Sequence, residues 1–315
     1  QDESTFLQRD YGIYLSDSWQ ILPILNAEIG VRAEKNDYTD QTFVHPRIAV
    51  NLDVTDDLRL TGKAGTYSRF PDVGKVVKVI GNPNLKSPES THFALKADYQ
   101  FNDDWKSSVE VYHKSLDKLP ASIDEALDTA NLRYVNDTSG KAYGVEWVLE
   151  KALSDGWYGW ASVSWSKSER TDERTGVTTE YYLDTPLILN MVANYKLNER
   201  WTFGARLTGR SGAKYTPIVG IKENPDYPDH YIPDYGELNS DTLPVYHRLD
   251  LQADYSFKAW GQEAKWTFAV LNALNAKNVS GYYFAPDGNE TPENYTIEEE
   301  EGMGIFPSIG FQISF

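Results

Sequence analysis

Apolar and polar positions alternate along most of this chain. From Leu25 to Glu34, Leu25, Ala27, Ile29, Val31 and Ala33 fall on one side, and Asn26, Glu28, Gly30, Arg32 and Glu34 on the other. The same period of two runs from Phe93 to Phe101, Trp201 to Arg210, Arg248 to Phe257 and Ile309 to Phe315. Successive side chains of a β-strand point to opposite faces, so each segment predicts a strand with one apolar face. Leu25, Ile29, Phe93, Leu95, Phe203, Leu249 and Leu251 belong to that face. Helical period is almost nowhere.

The connections sort by length. Short turns are expected near Trp19 to Pro23, Thr55 to Asp57, Asn102 to Asp104, Ser154 to Gly156, Asn198 to Glu199 and Ala259 to Glu263. Between them lie longer links, at Lys35 to Gln41, Pro71 to Ser90, Lys118 to Lys141, Arg170 to Asp184, Ser211 to Pro244 and Ala285 to Gly302. Cutting the chain at these links gives about thirteen strands in an antiparallel meander. A two-sheet sandwich would also alternate, but it does not need long strands or connections graded by length. An outer-membrane β-barrel does: tight turns lie on the periplasmic side, long loops outside, and apolar side chains face lipid. Trp19, Trp105, Trp157, Trp201 and Trp266 sit near the short turns, with Tyr99, Tyr195 and Tyr255 on their other flank, as an interfacial aromatic girdle requires.

Composition then changes what can be asked of the chain. Its mean hydropathy is negative, which a barrel explains because half of every strand faces a wet lumen. There is no run of about 18 apolar residues, so no helix of the chain is expected to span a bilayer. The formal charge of −17 argues against nucleic acid as a partner, because phosphate recognition needs a basic surface. With no cysteine, disulfides and thiolate metal sites are excluded.

The closing stretch "GMGIFPSIGFQISF" resembles the C-terminal assembly signal of bacterial outer-membrane proteins, with Phe311, Ile313 and Phe315 as the residues read by the barrel assembly machinery. Further stretches resemble the TonB-dependent receptor family. "YGIYLSDSW" followed by "LNAEIGVRAE" is similar to a mid-barrel hairpin of that family. Phe70-Pro71 with Gly81-Asn82-Pro83-Asn84-Leu85-Lys86 is similar to its F-P … G-N-P-x-L-K-P-E block, with Ser87 intervening before Pro88-Glu89. Gly144 and Glu146 resemble its G-x-E strand, and Leu271-Asn272 with Asn275 its penultimate hairpin. The family's barrel has about 22 strands, closed by a plug and worked by TonB. The resemblance therefore implies TonB-dependent uptake of a nutrient ligand (metal chelate, oligosaccharide or peptide). It also implies that residues 1–315 form the C-terminal portion of a larger barrel, with plug and first strands absent from this chain. A first strand running down to a short turn and an odd strand count would leave the first and last strands parallel. Missing N-terminal strands, or a second chain, are expected to partner them, with lipid and lipopolysaccharide around the outside. A plugless passive channel or structural component is the alternative.

Residues suited to chemistry are few. None of His45, His92, His113, His230 and His247 has metalloprotease spacing, and no nucleophile motif or phosphate loop occurs. Asp250, Asp254, Glu110 and Glu146 suggest a carboxylate hydrolase, but pairing with Arg248, Arg206, Arg210 and Lys96 along a wet lumen wall is the better reading. No enzyme activity and no cofactor is expected. The link Lys214 to Asp241 sets Tyr215, Tyr227, Tyr231 and Tyr235 among prolines, flat amphipathic side chains on a stiffened loop. With His230, these are the candidate ligand contacts; the plain alternative is a loop that only caps the barrel. Glu298, Glu299, Glu300 and Glu301 are either a solvated charge run or oxygen ligands for Ca2+ or Mg2+.

Overall fold

A computed structural model describes residues 9–77, 81–123, 133–227, 230–286 and 295–314. The chain divides into two compact units, residues 1–99, 109–145 and 168–179 in the first, and 100–108, 146–167 and 180–315 in the second. The strands β1 (Asp10–Leu22), β2 (Leu25–Asn36), β3 (Gln41–Asp53), β4 (Leu58–Ser68) and β5 (Glu89–Gln100) open the chain, with a single helical turn, α1 (Val73–Val76), before β5. The strands β6 (Trp105–Ser122), β7 (Tyr134–Ser154) and β8 (Trp157–Asp172) each contribute to both units. Then come β9 (Val177–Glu180), β10 (Leu187–Lys196), β11 (Trp201–Arg210), β12 (Lys214–Tyr215), β13 (Ile218–Glu223), β14 (Tyr231–Tyr235) and β15 (Asp241–Thr242). The chain closes with β16 (Tyr246–Ala259), β17 (Gln262–Leu271), β18 (Val279–Pro286), β19 (Tyr295–Glu301) and β20 (Phe306–Ile313). The main sheet follows the order β1 to β8, β10, β11, β16, β17, β20, and the registers from β1 to β5 and from β8 to β20 are antiparallel. This is the antiparallel meander that the alternation predicts. Among the described residues, β1 pairs with β2 alone and β20 with β17 alone.

In the first unit the apolar face is outward and unburied. Leu15 stands opposite Val31, Ile29 opposite Ile48 and Ala64 opposite Phe93. Ile13 is 73% exposed and Leu95 65%. Among the described residues of the whole chain, only Ala27, Val76, Leu85, Ala264 and Ala276 are buried hydrophobics. A water-soluble domain would forfeit about 1.5–3 kcal/mol for each Leu, Ile or Phe left outside. A bilayer removes that penalty, and this distribution is the inverse of a soluble core.

The other face of the same strands is polar and pairs its charges both across strands, as Arg59 with Asp53 and Lys141 with Glu169, and within them. Arg32 Nε lies 2.6 Å from Glu34 Oε1, and Lys96 Nζ 2.6 Å from Asp98 Oδ1. Residues two apart share a face, so in these two strands the counter-ion comes from the same strand. Lys96 thus pairs with Asp98, and not with the carboxylates Glu110 or Glu146 that the sequence reading offered it. His45, almost fully buried, sits on this face with Nε2 2.8 Å from Ser68 Oγ.

Residues 69–77 and 81–88 pack within the first unit. Leu85 and Val76 are 1% exposed. The Gln41 side chain donates to Leu85 O at 3.1 Å and accepts from Ser87 N at 2.8 Å. Asn82 Nδ2 donates to Tyr134 O, and Asn136 both accepts from Lys86 N and donates to Lys86 O. Gly81 is required there, because a Cβ would lie 2.3 Å from Lys75 O. The Gly-Asn-Pro block is therefore an anchor. One expected link is absent: residues 37–40 form only a four-residue turn, no longer than that at 54–57. Asn36 side-chain bonds to Thr39 N and Oγ1 close it tightly, so length does not grade this connection.

In the second unit the outward rows are continuous. Ala193, Ala205, Leu251, Val270 and Pro307 stand in one row, and Trp157, Tyr195, Phe203, Ala253, Phe268 and Ile309 in the next. Leu207 opposite Leu249 continues the face. Beside the short turns the rings meet: Trp157 and Tyr195 at 4.6 Å, Trp201 and Tyr255 at 4.8 Å, Trp266 and Phe311 at 4.8 Å. This is the aromatic girdle. Asp155-Gly156 and Trp260-Gly261 make the turns with both residues at positive φ, the conformation that matches strand twist in two-residue hairpins. On β20, Phe311 faces outward opposite Trp266 and Ile313 opposite Ala264; Phe315 lies outside the described residues. On the polar face Arg248 Nε reaches Asp250 Oδ1 at 2.6 Å, and Lys265 Nζ lies 3.5 Å from Asp254. Arg210 instead lies over the Tyr246 ring.

This facing has a measurable cost. Leu251→Arg is expected to destabilise the protein folded in lipid by about 2–4 kcal/mol, and Gln252→Arg by little. Equal losses in a urea titration in phospholipid vesicles would refute the assignment.

Candidate functional site

The second unit gathers the long links into one constellation. Between β11 and β16, the strands β12 and β15 form one two-stranded sheet and β13 and β14 another. Lys214 and Tyr215 pair with Thr242 and Asp241, and Ile221 and Lys222 pair with Pro233 and Ile232. The tip between β13 and β14 is an Asx turn, with Asn224 Oδ1 accepting from Asp226 N at 3.0 Å. Pro228 and Asp229 lie outside the described residues. The strands β18 and β19 pair antiparallel, and Tyr282 opposes Glu299, Tyr283 opposes Glu298 and Phe284 opposes Ile297.

Alternation on β18 and β19 brings Tyr282, Phe284 and Tyr295 to one face. Phe284 and Tyr295 stack at 4.3 Å with an interplanar angle of 5°. Tyr282 meets Tyr215 at 5.1 Å, and Tyr295 meets Tyr231 at 6.1 Å, edge-on. Five rings from two links thus form a wall. Tyr215 and Tyr231 are among the candidate ligand contacts of the sequence; Tyr282, Phe284 and Tyr295 join them in the wall without being among those candidates. The signal for Tyr282 and Phe284 is the aromatic run Tyr282-Tyr283-Phe284. Tyr227 and Tyr235 stand apart from the wall and are exposed. His230 lies with its ring edge-on to Tyr227 at 6.3 Å.

Ion pairs hold the wall's base. Lys214 Nζ lies 2.7 Å from Glu180 Oε2 and keeps that carboxyl below its usual range. Asn239 Nδ2 donates to Glu180 O at 2.9 Å, tying Glu180 to the segment that carries Tyr215. The Tyr215 hydroxyl donates to Asp241 Oδ2 at 3.1 Å. Burial, and secondly this carboxylate, push the Tyr215 phenol up to about 12.

The acidic run behaves otherwise. β19 sends Glu298 and Glu300 to one face and Glu299 and Glu301 to the other, because strand side chains alternate. Tyr283 Oη donates to Glu298 at 2.6 Å, and Lys277 Nζ pairs with Glu301 at 2.8 Å. Among the described residues no three His, Asp or Glu side chains gather as a metal site. Adjacency in sequence is not convergence in space.

The wall can stack planar or pyranose rings and accept or donate through phenols. Nothing in it sets a nucleophile beside a base. Residues 2–279 match the family model described as TonB dependent receptor-like, beta-barrel. The chain belongs to the TonB-dependent receptor-like β-barrel family. Its strands are accordingly those of a bacterial outer-membrane barrel, short turns on the periplasmic side and long links outside. Solved structures of TonB-dependent receptors share the fold. The siderophore receptor PirA from Acinetobacter baumannii is 13% identical with a TM-score of 0.70, over 98% of this chain and 46% of that one. The FrpB iron transporter from Neisseria meningitidis is 14% identical with a TM-score of 0.67, over 96% and 45%. The ferric enterobactin receptor PfeA from Pseudomonas aeruginosa is 15% identical with a TM-score of 0.67, over 98% and 45%. The chain spans less than half the length of these proteins. No curated protein matches it.

The Tyr215 phenol makes the loop contact testable. A phenol whose folded midpoint lies above the unfolded one adds stability below pH 10, and that stability is lost as pH rises through about 12. The difference in absorbance at 295 nm between the protein and its Tyr215→Phe variant should grow in near pH 12. Growth near pH 10 would mean that the ring is not held against Asp241.

Proposed function

We propose that this chain is the C-terminal portion of the barrel of a TonB-dependent uptake receptor. We further propose that its five-ring wall captures an organic nutrient ligand: a metal chelate, an oligosaccharide or a peptide. The observation that carries the reading is the meeting of Tyr215 and Tyr231 with Tyr282, Phe284 and Tyr295. Links far apart in sequence are brought together there on the outer side of a barrel of this family. The partners that follow are TonB and a plug domain, further strands beside β1 and β20, the surrounding bilayer and lipopolysaccharide. The barrel assembly machinery reads β20 through Phe311, Ile313 and Phe315. The support for further strands is physical: an edge in lipid leaves backbone groups unsatisfied.

Cells carrying the intact gene, starved in turn for iron, for an oligosaccharide carbon source and for a peptide nitrogen source, should show a growth advantage over a deletion strain in one condition. That advantage should vanish when TonB is removed. Tyr282→Ala with Tyr295→Ala should lower uptake at limiting ligand by about tenfold, with receptor abundance unchanged, as loss of about two stacking contacts predicts. Uptake that persists without TonB overturns the reading in favour of a passive channel.

A further inference from the structure

The outward face of the second unit is not uniformly convex. A groove of about 410 Å³ runs along it beside the short turn Asp155-Gly156. Its walls are Trp105, Leu149, Trp157 and Met191, and small residues, Gly159, Ala161 and Ala193, make its floor. A second, wider groove of about 730 Å³ shares Trp157 and Ala193 with the first and continues past Phe203 to Leu251. The stacked pair Trp157 and Tyr195 forms the ridge between them.

One lysine stands at the lip. Lys151 shares the outward parity of Leu149, and its Nζ lies 5.4 Å from the centre of the Trp105 ring. It donates to Ser154 Oγ at 2.5 Å and lies within reach of the carbonyls of Ala152 and Ser154. Among the described residues no carboxylate pairs with it, whereas neighbouring Lys106 is paired with Glu150 at 2.9 Å. An ammonium at the girdle of an apolar face can extend its stem along the surface and offer its charge to the interface. Its natural counter-charge there is a lipid phosphate.

We propose that these grooves bind one anionic glycerophospholipid of the periplasmic leaflet, with its phosphate on Lys151 and its two acyl chains on either side of the Trp157–Tyr195 ridge. The grooves supply what a chain needs: length along the strands, apolar walls and a floor of small side chains. The lysine supplies the selection for charge. The position beside a short turn decides the leaflet, since short turns face the periplasm in this family. The inference rests on that outer-membrane placement and not on the identity of the transported ligand.

The test uses the full-length receptor, purified in mild detergent and examined by native mass spectrometry with phosphatidylglycerol and phosphatidylcholine of matched chains. The protein should retain phosphatidylglycerol about fivefold over phosphatidylcholine, the weight of ~1 kcal/mol that one lysine contributes near an anionic surface. Lys151→Glu should abolish the preference and Lys151→Arg should keep it. Ala161→Phe, which fills the first groove, should lower retention of both lipids while heat-modifiable gel mobility, the mark of a folded barrel, is unchanged. Equal retention of the two lipids by the unmodified protein would overturn the proposal. So would a preference that survives Lys151→Glu, lipopolysaccharide as the retained species, or a second copy of the protein on this face in place of lipid.

Discussion

Backbone hydrogen bonding in a solvent that offers none is the constraint on which everything else here depends. A bilayer core leaves each peptide N–H and C=O to find a partner within the protein, and a meander of neighbouring strands is one of few arrangements that supplies them all. Once the strands must lie side by side, the period of two follows, one face to lipid and one to the lumen. The wide outer links then become the only parts of the chain free to vary in shape. The apolar rows, the wall of rings and the grooves on the outward face are consequences of how that requirement is met.

The same requirement explains which features were legible in the sequence. Strand faces are written locally, because each residue's side is set by its parity. Leu251 outward and Gln252 inward could be assigned from the stretch Arg248 to Phe257 alone. Turns of two residues were legible for a similar reason, since Asp155-Gly156 carries the residue types that tolerate positive φ. The turn at 37–40 was not. Its shortness comes from the Asn36 side chain folding onto Thr39, a contact that does not alter the pattern of apolar residues.

The wall shows the limit from the other side. Tyr215 and Tyr231 could be singled out as rings on a stiffened loop, but their partners Tyr282 and Tyr295 come from another link, and nothing periodic connects them. Tyr227 and Tyr235 look identical in sequence to the two that take part. What separates them is the pairing of β13 with β14 and of β18 with β19, both of which are tertiary facts. The glutamate run is a second case. Four residues adjacent in sequence are divided by a strand between two faces.

The charges on the polar face have a consequence for how such a protein is built. In Arg32 with Glu34, Lys96 with Asp98 and Arg248 with Asp250, both partners belong to one strand. A pair within a strand forms as soon as that segment is extended, before any neighbour arrives. Other pairs wait for a neighbour: Arg59 with Asp53, Lys141 with Glu169 and Lys265 with Asp254 close only between consecutive strands. The hairpin, rather than the single strand, is thereby the unit whose charges are already neutralised, and adding strands as hairpins avoids a highly charged intermediate.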